Sequence, residues 1–129
     1  MRAAQRVLVD TSVWVRHFRH RDDVLVALLG RNAVLCHPLV VAELACGTPP
    51  APRQSTLQSL RSLPQARRAT LSEALAFVER ERLYGLGCGV VDIILLASTR
   101  LCERTALWTL DARLAALGAR FDVGWGGVR

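Results

Sequence analysis

Lysine is absent from this sequence: all 17 basic residues are arginine, against 11 acidic residues, for a formal charge of +6. Arginine's planar fork donates two hydrogen bonds at once to a phosphate, and a basic surface attracts polyanions. The same Ala-, Leu- and Arg-rich composition is also what codon bias in a GC-rich genome produces, so charge alone does not settle on nucleic acid. Aromatic residues are scarce, at 5% of the chain, so leucine, valine and alanine must fill the core. The cysteines, Cys36, Cys46, Cys88 and Cys102, form no CxxC pair, and His37 beside Cys36 lacks further ligands at zinc spacing. They read as reduced, partly buried thiols. There is no low-complexity tract and no solenoid repeat. The longest apolar runs are broken by Glu43 or Asp92, short of the roughly 20 residues a membrane helix needs. The run between Arg6 and Asp10 is too short for the apolar region of a signal peptide. A cytoplasmic protein is expected, with no membrane partner, and its 129 residues predict one domain over 1–129.

What is present is a chain of short apolar runs alternating with helical patterns. RVLVD at Arg6 to Asp10 predicts a buried parallel strand, followed by a turn or helix from Val13. Asp22 and Asp23 cap a helix with the stripe Val24, Leu25, Leu28 and Leu29, stopped at Gly30. Ala33 to Cys36 is a second strand, and Pro38 opens a helix through Ala45, closed near Gly47. Thr48 to Pro52 is loop and Ser55 to Leu63 helix. An edge strand is predicted at Arg67 to Thr70. The Thr70–Glu73 capping box then opens a helix to about Tyr84. Gly85, Gly87 and Gly89 make a flexible turn before the helix that Asp92 starts or enters, running to about Cys102. TALWT at Thr105 to Thr109 is a strand and Asp111 to Leu117 a helix stopped by Gly118. A last strand is expected at Ala119 to Val123, with a loose tail from Gly124 to Arg129. Strands alternating with helices imply an α/β fold with a mainly parallel sheet, whose working site lies beyond the carboxyl ends of the strands.

Four acids fall on that rim. Asp10 ends the first strand, Asp111 follows the strand at Thr105 to Thr109, and Asp92 and Glu43 belong to helices packed on the sheet. Each aspartate has an alternative use as a helix N-cap. Glu43 is flanked by Leu39, Val40, Val41, Ala42, Leu44 and Ala45, where a carboxylate is costly unless paired with a buried arginine or bound to metal. Clustered carboxylates repel one another, and a divalent cation removes that penalty. Hard oxygen ligands favour Mg²⁺ or Mn²⁺ over zinc, and such an ion activates water for attack on a phosphodiester.

The strings VLVDTSVWV, VVAELACG, GVVDIILLA and LWTLDARLAAL resemble the four acidic motifs of PIN-domain nucleases, most nearly those of VapC-type toxins. The likeness runs in the right order from Val7 to about Leu117. It implies a three-layer α/β/α fold with a central, mainly parallel sheet. It also implies a Mg²⁺- or Mn²⁺-dependent endoribonuclease, the toxin of a type II toxin–antitoxin pair, cutting structured tRNA or rRNA. By that resemblance Asp10, Asp92 and Asp111 match the metal-binding catalytic acids and Glu43 the acid that completes the cluster. Ser12 and Thr109 match the hydroxyl residues that orient Asp10 and nearby water. The implied partners are a cognate antitoxin, seated on apolar helices at Val13 to Leu29 and Ser55 to Leu63, and a second copy of the chain in a homodimer. For any single leucine there, facing the core is the competing use.

Other acid-pocket α/β proteins fit less well. Receiver domains need a lysine beside their acids, and dehalogenase-type phosphatases need Asp-x-Asp where this chain has Asp10-Thr11-Ser12. No glycine-rich phosphate loop or Ser-His-Asp arrangement competes, and His17 and His20 lie far along a surface helix. The remaining alternative is a non-catalytic RNA- or protein-binding module on the same fold. Loss of one acid would be its sign, and all four are present.

Overall fold

The computed structural model describes residues 5–126. Strand β1 (Arg6–Val9) is followed by helices α1 (Thr11–Arg19) and α2 (Asp23–Gly30), then β2 (Val34–Leu35). Helices α3 (Pro38–Ala45), α4 (Arg53–Arg61), α5 (Leu71–Glu81) and α6 (Val90–Leu101) lead to β3 (Thr105–Trp108), and α7 (Ala112–Arg120) closes the series. The sheet order is β2-β1-β3, parallel throughout, with Leu8 facing Leu35 on one side and Leu107 on the other. The chain leaves β1 toward one neighbour and later returns on the opposite side. Right-handed crossovers then put helices on both faces of the sheet. The strand order reverses at the carboxyl end of β1, the switch point where open α/β sheets bind their ligands. Asp10 stands there.

β1 and β2 are buried on both faces because Val7, Leu8, Val9, Val34 and Leu35 are apolar without alternation. Fully burying one such side chain stabilises by about 1.5–3 kcal/mol. Helix α6 carries neighbouring buried residues, Ile93 to Leu96 with Ser98 and Thr99, so it lies in the core instead of presenting one stripe. Its buried hydroxyls are satisfied: Thr99 donates to the Leu95 carbonyl at 2.8 Å, and Ser98 accepts from Ala69 N at 3.0 Å. His37, only 2% exposed, caps α3 by accepting from Leu39 N at Nδ1 (3.1 Å). That leaves the ring proton on Nε2, 3.3 Å from Ser98 Oγ. This buried strut ties α3 to α6.

Several element ends differ from the sequence expectation. No strand forms at Arg67 to Thr70. Arg67 N and Ala69 N donate to Cys102 Sγ and Ser98 Oγ of the α6 region, so side chains take the place of a ladder. Pairing with Cys36 occurs earlier, at one bridge to Gln65. Gly118 does not stop α7; the helix runs to Arg120. Gly118 instead lets the chain pass close, since a Cβ there would lie 3.3 Å from Gly124 Cα. The strand expected at Ala119 to Val123 is reduced to one bridge, Leu107 to Gly124. The tail is anchored as far as Trp125, whose N donates to Leu107 O at 3.0 Å and whose ring packs on Trp108. Residues 127–129 of the expected loose tail lie outside the described residues. Helix α5 ends at Glu81, where Arg82 turns left-handed (φ 56°), not near Tyr84. All four cysteines are free thiols. No helix among the described residues is long and apolar enough to cross a membrane.

Candidate active site

The site begins with β1. Its three buried residues carry the chain to Asp10, whose N donates to Trp108 O at 2.9 Å, continuing the pairing with β3. Asp10 is 6% exposed and holds the N-cap position of α1, yet its side chain makes no cap bond. Instead Ser12 Oγ and Thr109 Oγ1 both donate to Asp10 Oδ2, at 2.7 and 2.8 Å. The two hydroxyls are 3.4 Å apart. Each also accepts a backbone N–H from the turn after β3: Leu110 N to Ser12 Oγ at 3.0 Å, Asp111 N to Thr109 Oγ1 at 3.1 Å. One network therefore locks the ends of β1 and β3 and fixes the orientation of a buried carboxylate.

Asp111 is exposed and caps α7, its Oδ1 accepting from Arg113 N (2.9 Å) and Leu114 N (3.1 Å). Here capping does occur, and it holds the carboxylate beside the network through Thr109. Asp92 is the third residue of α6, its Oδ2 3.4 Å from Gly89 N. Burial pushes the Asp92 carboxyl above the usual aspartate range, and the charges of Asp10, Asp111 and Glu43 push it the same way, against the Gly89 bond. That is the mutual repulsion expected of clustered acids.

Glu43 departs from the expectation of an apolar setting. On α3 the residues Val40, Val41 and Leu44 face the core, while Ala42 and Glu43 are exposed. The apolar run is a helix with one wet edge, so no buried arginine is needed. Glu43 Oε1 accepts from Thr11 Oγ1 at 2.6 Å, which ties it to the residue after Asp10.

Thr11 is a contributor the sequence reading passed over. Its signal is its place between Asp10 and Ser12, where α1 begins two residues earlier than expected. Cys88 lies near the acids: burial raises its thiol, and the charges of Asp92 and Asp111 raise it further.

Among the described residues none of the four acids makes an ion pair. The arginines with ion pairs neutralise other acids. Arg100 lies 4.9 Å from the Phe77 ring and 4.8 Å from Phe121, a joint between α5, α6 and the end of α7. The acids surround the switch point without closing into a cage, since no group of three or more acid, His or Cys side chains among the described residues is close enough to hold an ion. The donor set is nevertheless all hard oxygen, without lysine, and burial together with the neighbouring acids raises the proton affinity of its member Asp92. These features fit a hard divalent cation.

Most leucines of the two segments expected to form an apolar groove face the core. Leu25, Leu28, Leu57 and Leu60 of the α1–α2 and α4 segments are buried in the core. An open apolar hollow lies between α3 and the end of α4, lined by Pro38, Val41, Ala42, Ala45, Arg61 and Gln65.

Comparison with known proteins agrees with this architecture. The PIN domain family matches residues 7–119. Ribonuclease VapC32, from two strains of Mycobacterium tuberculosis, is 46% identical over 117 residues, 91% of this chain and 94% of the relative. With the four acids in order around the switch point of a parallel sheet, the chain belongs to the PIN-domain family, among its VapC-type ribonucleases.

Proposed function

We propose that this chain is a metal-dependent endoribonuclease, the toxin of a type II toxin–antitoxin pair, with Asp10, Glu43, Asp92 and Asp111 as its hydrolytic centre. One observation carries the reading: four carboxylates without ion-pair partners among the described residues share the carboxyl rim of the sheet, and one of them, Asp92, is raised in proton affinity by burial and further by the charges of the other three. The name of the relative, a ribonuclease, supports RNA as the substrate. Its VapC designation supports a cognate antitoxin as partner, and with it a cytoplasmic place of action.

Asp10, Asp92 and Asp111 would hold a Mg²⁺ or Mn²⁺ ion, with Glu43 completing the set. An ion held by those residues would neutralise the acids and would supply water activation and Lewis acidity toward a phosphodiester. The chain's own groups supply order. Ser12 and Thr109 fix the Asp10 carboxylate by binding one of its oxygens. Thr11 does the same for Glu43. The backbone at Gly89, Arg113 and Leu114 fixes Asp92 and Asp111. Exposed arginines attract the RNA backbone. A structured RNA, tRNA or rRNA, is the proposed target, and a homodimer the proposed assembly.

The test is incubation of antitoxin-free protein with total tRNA and rRNA in Mg²⁺, Mn²⁺ or EDTA, with the new ends identified. Metal-dependent cuts leaving 3′-hydroxyl and 5′-phosphate ends are expected. A 2′,3′-cyclic phosphate end would overturn water attack. No cleavage and no metal binding by calorimetry would point to the non-catalytic module.

A further inference from the structure

The loop before α6 contains a close approach that the acid cluster does not require. Gly87 lies at φ +85°, and a Cβ there would meet Arg113 at 2.7 Å from Cδ and 2.8 Å from Nη1. The arginine side chain thus lies directly on a bare stretch of backbone, and its Nη1 reaches toward Gly87 O at 3.5 Å. Arg113 also donates its backbone N–H to Asp111, while two residues beyond Gly87 the N–H of Gly89 faces Asp92. One exposed cation, two residues after Asp111, is therefore held beside the segment that leads into Asp92.

We propose that Arg113 is the substrate-positioning residue of this centre: seated on the bare backbone of Gly87, it binds a non-bridging phosphate oxygen of the RNA next to the acids. The inference rests on the hydrolase reading above and names how that site tolerates its substrate. A phosphodiester approaching four carboxylates meets like charge, and a cation at the rim offsets it at close range. Among the described residues the Arg113 guanidinium forms no ion pair with any acid, and its one hydrogen bond is the long contact to Gly87 O. Its remaining donors are free for the bidentate grip that suits phosphate. The thiol of Cys88, raised first by burial, also feels the same neighbourhood, with Asp92 and Asp111 raising it further and Arg113 pulling it down. A side chain at position 87 would push the guanidinium off its seat, and the left-handed backbone there independently favours glycine.

The test compares the wild type with Arg113→Ala, Arg113→Lys, Gly87→Ala and the Gly87→Ala/Arg113→Ala double variant on the RNA cut in the assay above. Arg113→Ala should raise KM about 10-fold while kcat changes little, the pattern of lost uniform binding. Arg113→Lys should recover part of the loss, and millimolar guanidinium should do so in Arg113→Ala. Gly87→Ala should reproduce the KM increase, and the double variant should be no worse than Arg113→Ala. In parallel, binding of bulk tRNA is measured in EDTA, without turnover, across a salt series. Loss of one phosphate contact should lower the slope of log affinity against log salt by about 1 in Arg113→Ala. Wild-type KM and wild-type slope in Arg113→Ala would overturn the proposal; an unchanged KM in Gly87→Ala would overturn the role of the bare backbone. If the wild type cuts no RNA, the hydrolase reading fails separately, and the salt slope still decides for or against Arg113.

Discussion

Thr109 and Asp10, 99 residues apart, meet at 2.8 Å where β3 and β1 end, the hydroxyl donating to the carboxylate oxygen that also receives Ser12. The same Thr109 oxygen accepts Asp111 N, so one hydroxyl orients one acid and positions the backbone of another. Thr109→Val keeps shape and removes both bonds. It should cost about 1 kcal/mol in stability, as a lost buried hydrogen bond does. It should lower kcat by about 10–100-fold, as loss of a ligand-orienting partner does. Ser12→Ala should act in the same direction, and the two should not add, since they share Asp10. Thermal melts beside single-turnover cleavage check both quantities.

Asp92 predicts a stability effect opposite to its effect on activity. Its folded proton affinity is raised above the ordinary value, so at neutral pH the ionised group costs stability without metal. As pH falls into the carboxylate range the folded protein takes up that proton first, and the cost disappears. Asp92→Asn removes the cost at every pH while keeping an oxygen for Gly89 N. In EDTA at pH 7 the variant should melt higher, by about 1–3 °C, with the gain fading in acid. Added Mg²⁺ or Mn²⁺ should reverse the order by stabilising the wild type alone. Melting curves with and without metal read this directly.

Much of this site was legible because its acids follow apolar runs, and a buried strand makes the next polar residue a rim residue. Asp10 and Asp111 were placed that way, and the Thr70–Glu73 box fixed the start of α5. The rest was hidden by long-range contacts. The expected strand at Arg67 to Thr70 reads extended, but its N–H partners are Ser98 and Cys102, and only the fold brings those near. Gly118 carries the local signal of a helix stop, and only Gly124 across from it explains why it lies inside a helix. Glu43 was placed correctly along the chain and wrongly in depth, because a short apolar helix does not declare which edge is wet.

Asp111 serves two purposes that substitution can separate. Asparagine caps as well as aspartate does, and alanine does not. Asp111→Asn should therefore melt within about 0.5 kcal/mol of wild type, and Asp111→Ala about 1 kcal/mol below it. Both should lose cleavage to a similar degree, because both remove the charge. Unequal activity that follows stability would mean that the cap is the residue's whole contribution.

His37 gives the fold an acid sensitivity independent of the carboxylates. Burial, and secondarily the charge of Arg68, lowers its proton affinity below the ordinary value of 6.5. The unfolded chain therefore protonates first, and this residue's contribution is present above about pH 6.5 and lost as pH falls below it. Protonation also turns Nδ1 into a donor facing Leu39 N–H, which breaks the α3 cap. His37→Asn retains a cap acceptor without the titration. It should be less stable at pH 7, and its stability should fall less than wild type between pH 7 and 5, measured by urea unfolding.

The central claim is that the charges of Asp10 and Asp92 act together in RNA hydrolysis. The most direct measurement is the cleavage rate of Asp10→Asn and Asp92→Asn beside wild type, in Mg²⁺ and on the same RNA, with each fold verified by circular dichroism. Both variants should be folded and slower by at least about 100-fold, the scale for losing a metal-ligating charge. A folded variant of either kind that cuts at close to the wild-type rate would contradict the account.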